Sequence, residues 1–178
     1  YKFDTLYDKL GYVTQKAVLF AGSIRNNVFF GESAAPETDE ELKNAIELSQ
    51  AEEFVNKLPD GTEHMISQMG RNVSGGQKQR LSIARALSRK PEILVFDDSF
   101  SALDYKTDAK LREGLNEKLK DTTKIIVAQR ISTIRHADKI IVLDRGEAVG
   151  MGTHEELMKN CDVYKEIALS QLSAAELA

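Results

Sequence analysis

The chain has 178 residues, of which 42% are hydrophobic and 29% charged, and its net charge is −4. This length and composition fit one globular domain with a sizeable core, or most of a larger one. The charge excludes a whole-chain attraction to nucleic acid or anionic lipid, the single Cys161 excludes an intrachain disulfide, and no apolar run approaches the roughly 18 residues of a membrane span.

The first part of the chain predicts a short strand followed by helices. Residues 10–13 predict the strand, and Gln15 follows it. Thr38 and Glu41 form a capping box, because the threonine can accept from the backbone at the start of a helix while the glutamate reaches back. A second short helix ends before the Pro-Asp-Gly turn signal at residues 59–61.

The middle of the chain predicts a helix and then a buried strand. Residues 76–88 predict the helix, which Pro91 bounds at its far side. Its apolar stripe consists of Leu81, Ala84 and Leu87. The apolar run that follows ends in Asp97 and Asp98, so the strand should deliver two carboxylates to its C-terminal end.

The last part of the chain predicts a helix from about Thr107, a strand at residues 124–128 and a hairpin over residues 140–149. Thr153 and Glu156 form a second capping box, which starts one C-terminal helix. Apolar residues at helical spacing support the two helices: Leu111, Leu115 and Leu119 in the first, and Leu157, Tyr164 and Ile167 in the second.

Strands and helices alternate along the chain. This alternation predicts an α/β fold with a mostly parallel sheet, because parallel strands need crossover connections. The helical stretch at about residues 37–89 predicts an inserted helical subdomain. Residues 90–178 would then supply the C-terminal part of the core and the terminal helix.

Two pieces of the sequence predict phosphate and cation chemistry. Ser74, Gly75 and Gly76 open a helix, and bare backbone N–H groups at a helix N-terminus bind anions. Asp97 and Asp98 end a strand of a parallel sheet, where such sheets hold ligands and where carboxylates suit a hard cation. Taken alone, the first piece also fits a plain glycine-rich helix start, and the second a solvated strand end.

The order and spacing of these pieces resemble a known family, the ATP-binding cassette (ABC) ATPases. Val73-Ser74-Gly75-Gly76-Gln77 resembles the signature motif of that family, the strand that ends at Asp97 its Walker B strand, and Ser101-Ala102-Leu103-Asp104 its D-loop. Residues 11–28 are similar to the Q-loop region of the exporter branch. The resemblance implies a P-loop NTPase-like fold, ATP and Mg²⁺ as cofactors, and a second ABC domain as partner.

The resemblance also implies a role for each matching residue. Gln15 would coordinate magnesium or the attacking water, and Asp97 would hold magnesium through water. Residues Ser74 to Gln77 would bind the γ-phosphate of an ATP held mainly by the opposite subunit. Asp104 would lie at the dimer interface, and as an acid before a helix it also fits an N-cap.

Two residues depart from the family pattern. Asp98 stands where the family has a catalytic glutamate, and its shorter side chain draws the carboxylate back by about an ångström, a displacement that can cost roughly a hundredfold in rate. Gln129 stands where the family has a switch histidine, and an amide cannot take up a proton near neutral pH. Together they predict a degenerate catalytic site, as in heterodimeric exporters; the alternative is a normal site that works slowly.

The motif G-x-x-x-x-G-K-[ST] does not occur in the sequence. We therefore expect the chain to be the C-terminal part of an ABC domain, with the P-loop and the adenine-stacking aromatic in a missing N-terminal part. By itself it should bind ATP weakly at best and show no ATPase activity. Its sheet should also have exposed edges, so the piece should fold poorly alone.

The favoured function is that of the nucleotide-binding domain of a heterodimeric ABC exporter, at the cytoplasmic face of the cell membrane. Phe20, Ile24 and Val28 would face the coupling helices of the transmembrane domain, and no nucleic acid is expected as a partner. One alternative is a soluble ABC ATPase that acts on nucleic acid, which a basic groove would favour. The other is a non-catalytic regulatory module, against which nucleotide beside Ser74 would argue.

Overall fold

The computed structural model describes residues 2–32 and 35–171, and of Asp4 only the backbone. The chain divides into two compact units, of which the first extends to Val127 and the second begins at Ala128. The elements of the first unit are α1 (Phe3–Lys9), β1 (Leu10–Val13), β2 (Gly22–Ser23), α2 (Ile24–Val28), α3 (Asp39–Leu48), α4 (Glu52–Val55), β3 (Met65–Ile66), α5 (Gly75–Ser88), β4 (Ile93–Asp97), α6 (Tyr105–Lys118) and β5 (Thr123–Val127).

A parallel sheet with strand order β1-β4-β5 organises the first unit. Val13 pairs with Phe96, and Asp97 pairs with Val127, so the strands end together at one edge. The prediction of an α/β fold with a mostly parallel sheet is confirmed. A separate antiparallel pair, β2 with β3, was absent from the sequence-based expectation.

The core of the first unit lies on one face of this sheet. Val13, Leu94 and Phe96 point into it and are fully buried. Burial of each such side chain contributes roughly 1.5–3 kcal/mol. From the helices, α5 adds Leu81 and Ile83, and α6 adds Leu111 and Leu115. The opposite face carries Tyr12, Ile125 and Val127, each about half exposed.

Helix α5 is anchored to the segment that follows β1. Gln79 is buried and donates from Nε2 to the Thr14 carbonyl at 3.2 Å. Arg85 donates to the Val18 carbonyl at 3.0 Å and to the Asn27 carbonyl at 2.7 Å. The helix therefore fixes where the chain runs after it leaves the sheet.

The second unit is a hairpin packed with short helices. Its elements are α7 (Ile131–Ile134), β6 (Ile140–Asp144), β7 (Glu147–Gly152), α8 (His154–Asn160) and α9 (Asp162–Gln171). Strands β6 and β7 pair antiparallel, with an irregularity between Val142 and Leu143. Its small core contains Ile140, Val142, Leu157, Cys161, Tyr164 and Ala168.

Several predicted boundaries move for identifiable reasons. Helix α6 begins at Tyr105 rather than Thr107, because Asp104 is its N-cap. The predicted single C-terminal helix is wrong: the backbone is extended at Cys161, which separates α8 from α9. The helical subdomain at about residues 37–89 stays a prediction.

Within residues 2–32 and 35–171, no helix combines the length and apolar character needed to cross a bilayer.

Gly11 sits where strand β1 passes closest to its neighbours. A Cβ there would lie 2.7 Å from Leu94 Cδ2, 2.9 Å from Pro91 Cγ and 3.0 Å from the Ala86 carbonyl oxygen. We expect Gly11→Ala to destabilise the first unit by about 1–3 kcal/mol, because an overfilled site forces its neighbours to shift. Thermal unfolding measures the change.

The matched control is Gly75→Ala, because a Cβ at Gly75 would meet no atom within 4 Å. Its unfolding midpoint should not fall below that of the wild type. Equal losses of stability in the two variants would contradict the close packing assigned to Gly11.

Candidate functional site

The carboxyl end of the parallel sheet brings three of the predicted site residues together. Asp97 is the last residue of β4 and Asp98 follows it, while Gln15 comes from the segment after β1. Gln15 Nε2 donates to Asp98 Oδ2 at 3.2 Å. Tyr12, in β1, donates from its hydroxyl to Asp97 Oδ2 at 3.0 Å. Each carboxylate thus accepts from its own donor, one in β1 and one in the segment that follows it.

The backbone around Asp98 forms a tight turn. Its φ is +44°, in the left-handed region that aspartate adopts more readily than most residues. The Asp98 N–H donates to the Val127 carbonyl at 2.9 Å, and its carbonyl accepts from Ser101 Oγ at 2.7 Å. Ser99 is fully buried and donates from Oγ to the Val13 carbonyl at 3.0 Å. Both neighbouring strands therefore hold this turn in place.

The start of α5 is a complete capping box. Ser74 Oγ accepts from the Gln77 N–H at 3.3 Å, and Gln77 Oε1 accepts from the Ser74 N–H at 2.8 Å. These bonds use acceptor atoms of both side chains, so the Ser74 hydroxyl hydrogen and the Gln77 amide nitrogen are left as donors. The first backbone N–H groups of a helix have no partner within that helix, which suits this end to an anion.

The two glycines of this helix start have different surroundings. A Cβ on Gly75 would meet nothing within 4 Å, whereas one on Gly76 would lie 3.5 Å from the Ala102 carbonyl oxygen. The helix end is therefore open at Gly75 and faces the segment that leads to α6 at Gly76. An anion can approach the backbone at Gly75 without displacing a side chain.

Asp104 is the N-cap of α6. Its Oδ1 accepts from the Thr107 N–H at 3.0 Å and its Oδ2 from Thr107 Oγ1 at 2.7 Å. The Thr107 hydroxyl, and then its backbone N–H, lower the pKa of the Asp104 carboxyl below its usual range. The N-cap interpretation of Asp104 is confirmed.

Gln129 lies in the second unit, where its carbonyl accepts from Gln171 Nε2 at 2.9 Å. Gln171 Oε1 also accepts from the Ile131 N–H at 2.9 Å. This side chain of α9 therefore fixes the backbone on both sides of Arg130.

The donor set at the sheet edge fits Mg²⁺ and a nucleotide. Asp97 and Asp98 offer carboxylate oxygens, and Gln15 offers its amide oxygen because the bond to Asp98 uses the nitrogen. Among residues 2–32 and 35–171, no cluster of three or more His, Cys, Asp or Glu side chains could enclose a metal ion. Mg²⁺ commonly takes one or two carboxylates and completes its shell with phosphate and water oxygens.

Three residues were predicted to form an apolar docking surface, and two of those predictions are wrong. Ile24 and Val28 belong to α2 and are buried in the core, because their i,i+4 spacing directs both towards the helix's packed side. Phe20 is 41% exposed. It stacks on the exposed Phe30 at 4.0 Å between ring centroids, and Arg85 lies over both rings.

Tyr12 is a residue that the sequence-based prediction missed. It pairs with Val95, so it stands on the same face of the sheet as Asp97, two residues further along β4. A parallel register between the two predicted strands was the signal that could have placed the phenol beside the aspartate. That register is not readable from either strand alone.

Comparison with known proteins decides the family. A family model described as ABC transporter matches residues 2–101. The chain belongs to the ABC transporter family. It is 45% identical to a putative ABC transporter ATP-binding protein of Mycoplasma genitalium, over an alignment that covers 94% of this chain and 29% of that protein.

Other members of the ABC transporter family give the same placement. A putative export ATP-binding/permease protein of Rickettsia felis is 43% identical over 164 residues, covering 92% of this chain and 28% of that protein. The structure of a bacterial Atm1-family ABC exporter with ATP bound matches with a TM-score of 0.88 and 34% identity, over 94% of this chain and 29% of that one. The chain thus spans less than a third of the length of these relatives.

The Asp104 cap yields a test by titration. We expect Thr107→Val to raise the pKa of Asp104 towards its usual range, because the hydroxyl hydrogen bond, which lowers this pKa most, is lost. Since the folded pKa is depressed, the stabilisation is present above the unfolded pKa and disappears as the pH falls through the folded pKa. Carboxyl-carbon NMR titration measures the change.

Thr123→Val is the control, since Thr123 is an exposed threonine of β5. It should leave the Asp104 titration in place. An unchanged Asp104 pKa in Thr107→Val would show that the hydroxyl does not contribute to the cap.

Proposed function

We propose that this chain belongs to the nucleotide-binding domain of an ABC exporter, which uses ATP binding and hydrolysis at a dimer interface to drive export across a membrane. The observation that carries the proposal is the convergence of Gln15, Asp97 and Asp98 at the carboxyl end of the sheet. The export function named for the Rickettsia relative, and the ATP-bound state named for the Atm1-family structure, support it.

In this proposal each site residue holds one part of the nucleotide complex. Asp97 and Gln15 hold Mg²⁺, and bound Mg²⁺ neutralises charge on the phosphate oxygens. The donors of Ser74 and Gln77, with the backbone N–H groups of Gly75 and Gly76, bind the γ-phosphate of an ATP held mainly by the opposite domain. Asp104 lies at the interface between the two domains, while it continues to cap α6.

The proposal includes a heterodimer in which this chain's own catalytic site is degenerate. Asp98 replaces the longer acid of the family, and Gln129 replaces its histidine. The partner domain would keep a glutamate and a histidine at the corresponding positions and would carry most of the turnover. This chain then acts chiefly through Ser74–Gln77, the second wall of the partner's site. By itself it would be inactive, since its sequence holds no P-loop motif.

The membrane side of the proposal rests on the patch formed by Phe20 and Phe30, two stacked and exposed aromatic side chains. Contiguous exposed apolar groups commonly mark interaction surfaces. We assign the patch to contact with the coupling helices of a transmembrane domain, at the cytoplasmic face of the cell membrane. The net charge of −4 and the export relatives support this function over a soluble ATPase that acts on nucleic acid.

The degenerate site predicts unequal effects on steady-state ATPase activity in the complete heterodimer. Ser74→Ala or Gly75→Asp should lower turnover by about a hundredfold or more, because a preorganised γ-phosphate contact at the competent site is worth several kcal/mol. Asp98→Ala should cost much less, and Asp98→Glu combined with Gln129→His should raise turnover. Each variant is measured with wild-type partner.

The control for this series is replacement of the partner's corresponding glutamate by alanine, which should abolish most of the ATPase activity. If Asp98→Ala removes activity as fully as Ser74→Ala does, Asp98 is an ordinary catalytic base and the degenerate-site proposal is wrong.

The docking patch predicts a loss of coupling. Phe20→Ala should weaken contact with the transmembrane domain by about 1–2 kcal/mol, as truncation of an aromatic anchor commonly does. Substrate-stimulated ATPase in vesicles should then fall while basal ATPase is retained. Phe3→Ala removes an exposed phenylalanine outside the patch and should leave both activities unchanged. Equal stimulation in the two variants would exclude the patch from coupling.

A further inference from the structure

Tyr12 makes a hydrogen bond that the proposed roles leave unexplained. Its ring stands in the middle of β1, and its hydroxyl donates to Asp97 Oδ2 at 3.0 Å. The parallel register places Tyr12 opposite Val95, so the phenol reaches diagonally across to the last residue of β4. The side chain is 55% exposed on the face of the sheet opposite the core.

The two carboxylates accept hydrogen bonds from different donors. Tyr12 donates to Asp97, and Gln15 donates to Asp98 at 3.2 Å. A phenol has one proton to donate, so it engages a single oxygen of Asp97 and orients the plane of that carboxylate. Oδ1 of Asp97 is then left to face a ligand. A phenylalanine would occupy nearly the same volume without this bond.

We propose that Tyr12 is a positioning residue for Asp97: its hydroxyl holds Oδ2 of the aspartate, so that Oδ1 is oriented towards the nucleotide-bound metal ion. This inference rests on the proposed function, in which Asp97 holds Mg²⁺. Carboxylates that bind metal ions are themselves hydrogen-bonded, and loss of such an outer partner typically costs about 10–100-fold in metal affinity. A tyrosine that served sheet packing alone would be replaceable by phenylalanine without effect.

The test is Mn²⁺ binding to the complete protein in the presence of a non-hydrolysable ATP analogue, followed by electron paramagnetic resonance. The partner's equivalent aspartate is replaced by asparagine, so that the signal reports the site that contains Asp97. Tyr12→Phe should raise the Mn²⁺ dissociation constant about tenfold. Affinity for the analogue in EDTA should stay unchanged, because Tyr12 acts through Asp97 on the metal ion.

Tyr7→Phe is the matched control, since it removes the hydroxyl of another exposed tyrosine, in α1, whose ring stacks on Phe3. It should bind Mn²⁺ like the wild type. Asp97→Asn should weaken Mn²⁺ binding, and adding Tyr12→Phe to Asp97→Asn should cause no further loss. Thermal unfolding of every variant confirms that the fold is retained.

The possible outcomes are distinct. If Asp97→Asn weakens Mn²⁺ binding and Tyr12→Phe does not, the positioning role is wrong while the proposed function stands. If Tyr12→Phe weakens binding of the analogue in EDTA as much as it weakens binding of Mn²⁺, Tyr12 acts on the fold and not on the metal site. If Asp97→Asn leaves Mn²⁺ binding unchanged, Asp97 is not the metal ligand, and the proposed function fails together with this inference.

Discussion

The parallel register between β1 and β4 is the constraint on which the candidate site depends. With Val13 opposite Phe96, the segment after β1 leaves the sheet beside Asp97 and Asp98. A shift of one residue would turn Tyr12 to the other face, because side chains alternate along a strand. Close packing around Gly11 helps to fix this register, because the space beside its Cα holds a hydrogen atom but not a methyl group.

Helix α5 couples the two halves of the site. At its N-terminus the capping box of Ser74 and Gln77 shapes the anion-binding end, and one turn later Gln79 bonds to the Thr14 carbonyl. Further along, Arg85 holds the Val18 carbonyl and lies over Phe20. Rotation or translation of this helix would therefore move the phosphate-binding end, the Gln15 segment and the exposed aromatic patch together. Such a link is what the proposed conversion of nucleotide binding into movement of a membrane domain requires.

Local sequence signals predicted the elements whose stability is decided locally. The capping box at Thr153 and the apolar run that ends at Asp97 lie within a few residues and were readable without tertiary context. At Thr38 only the threonine half of the predicted box forms, because the Glu41 carboxylate pairs with Lys90 instead. Helix α1 was missed because its N-cap residue Lys2 makes no side-chain capping bond. Ile24 and Val28 were placed on the surface because their burial depends on a helix that packs from elsewhere in the sequence.

Contacts between strands were equally beyond the reach of sequence patterns. The bond from Tyr12 to Asp97 joins residues that are far apart in the chain, and it exists because of the sheet register. The same holds for Ser99, whose hydroxyl crosses to the Val13 carbonyl and closes the turn after β4. The sequence thus predicted which chemical groups belong to the site, whereas their pairing required the three-dimensional structure.

The backbone and the hydrogen bonds around Asp98 give the degenerate-site proposal support beyond the length of the side chain. Its backbone is held in the left-handed region by bonds to Val127 and Ser101, so the carboxylate can be moved only by turning its short side chain. Oδ2 already accepts from Gln15. A water molecule would have to use the remaining oxygen or displace the Gln15 amide. Short reach and a competing donor therefore act in the same direction, towards slow hydrolysis at this chain's own site.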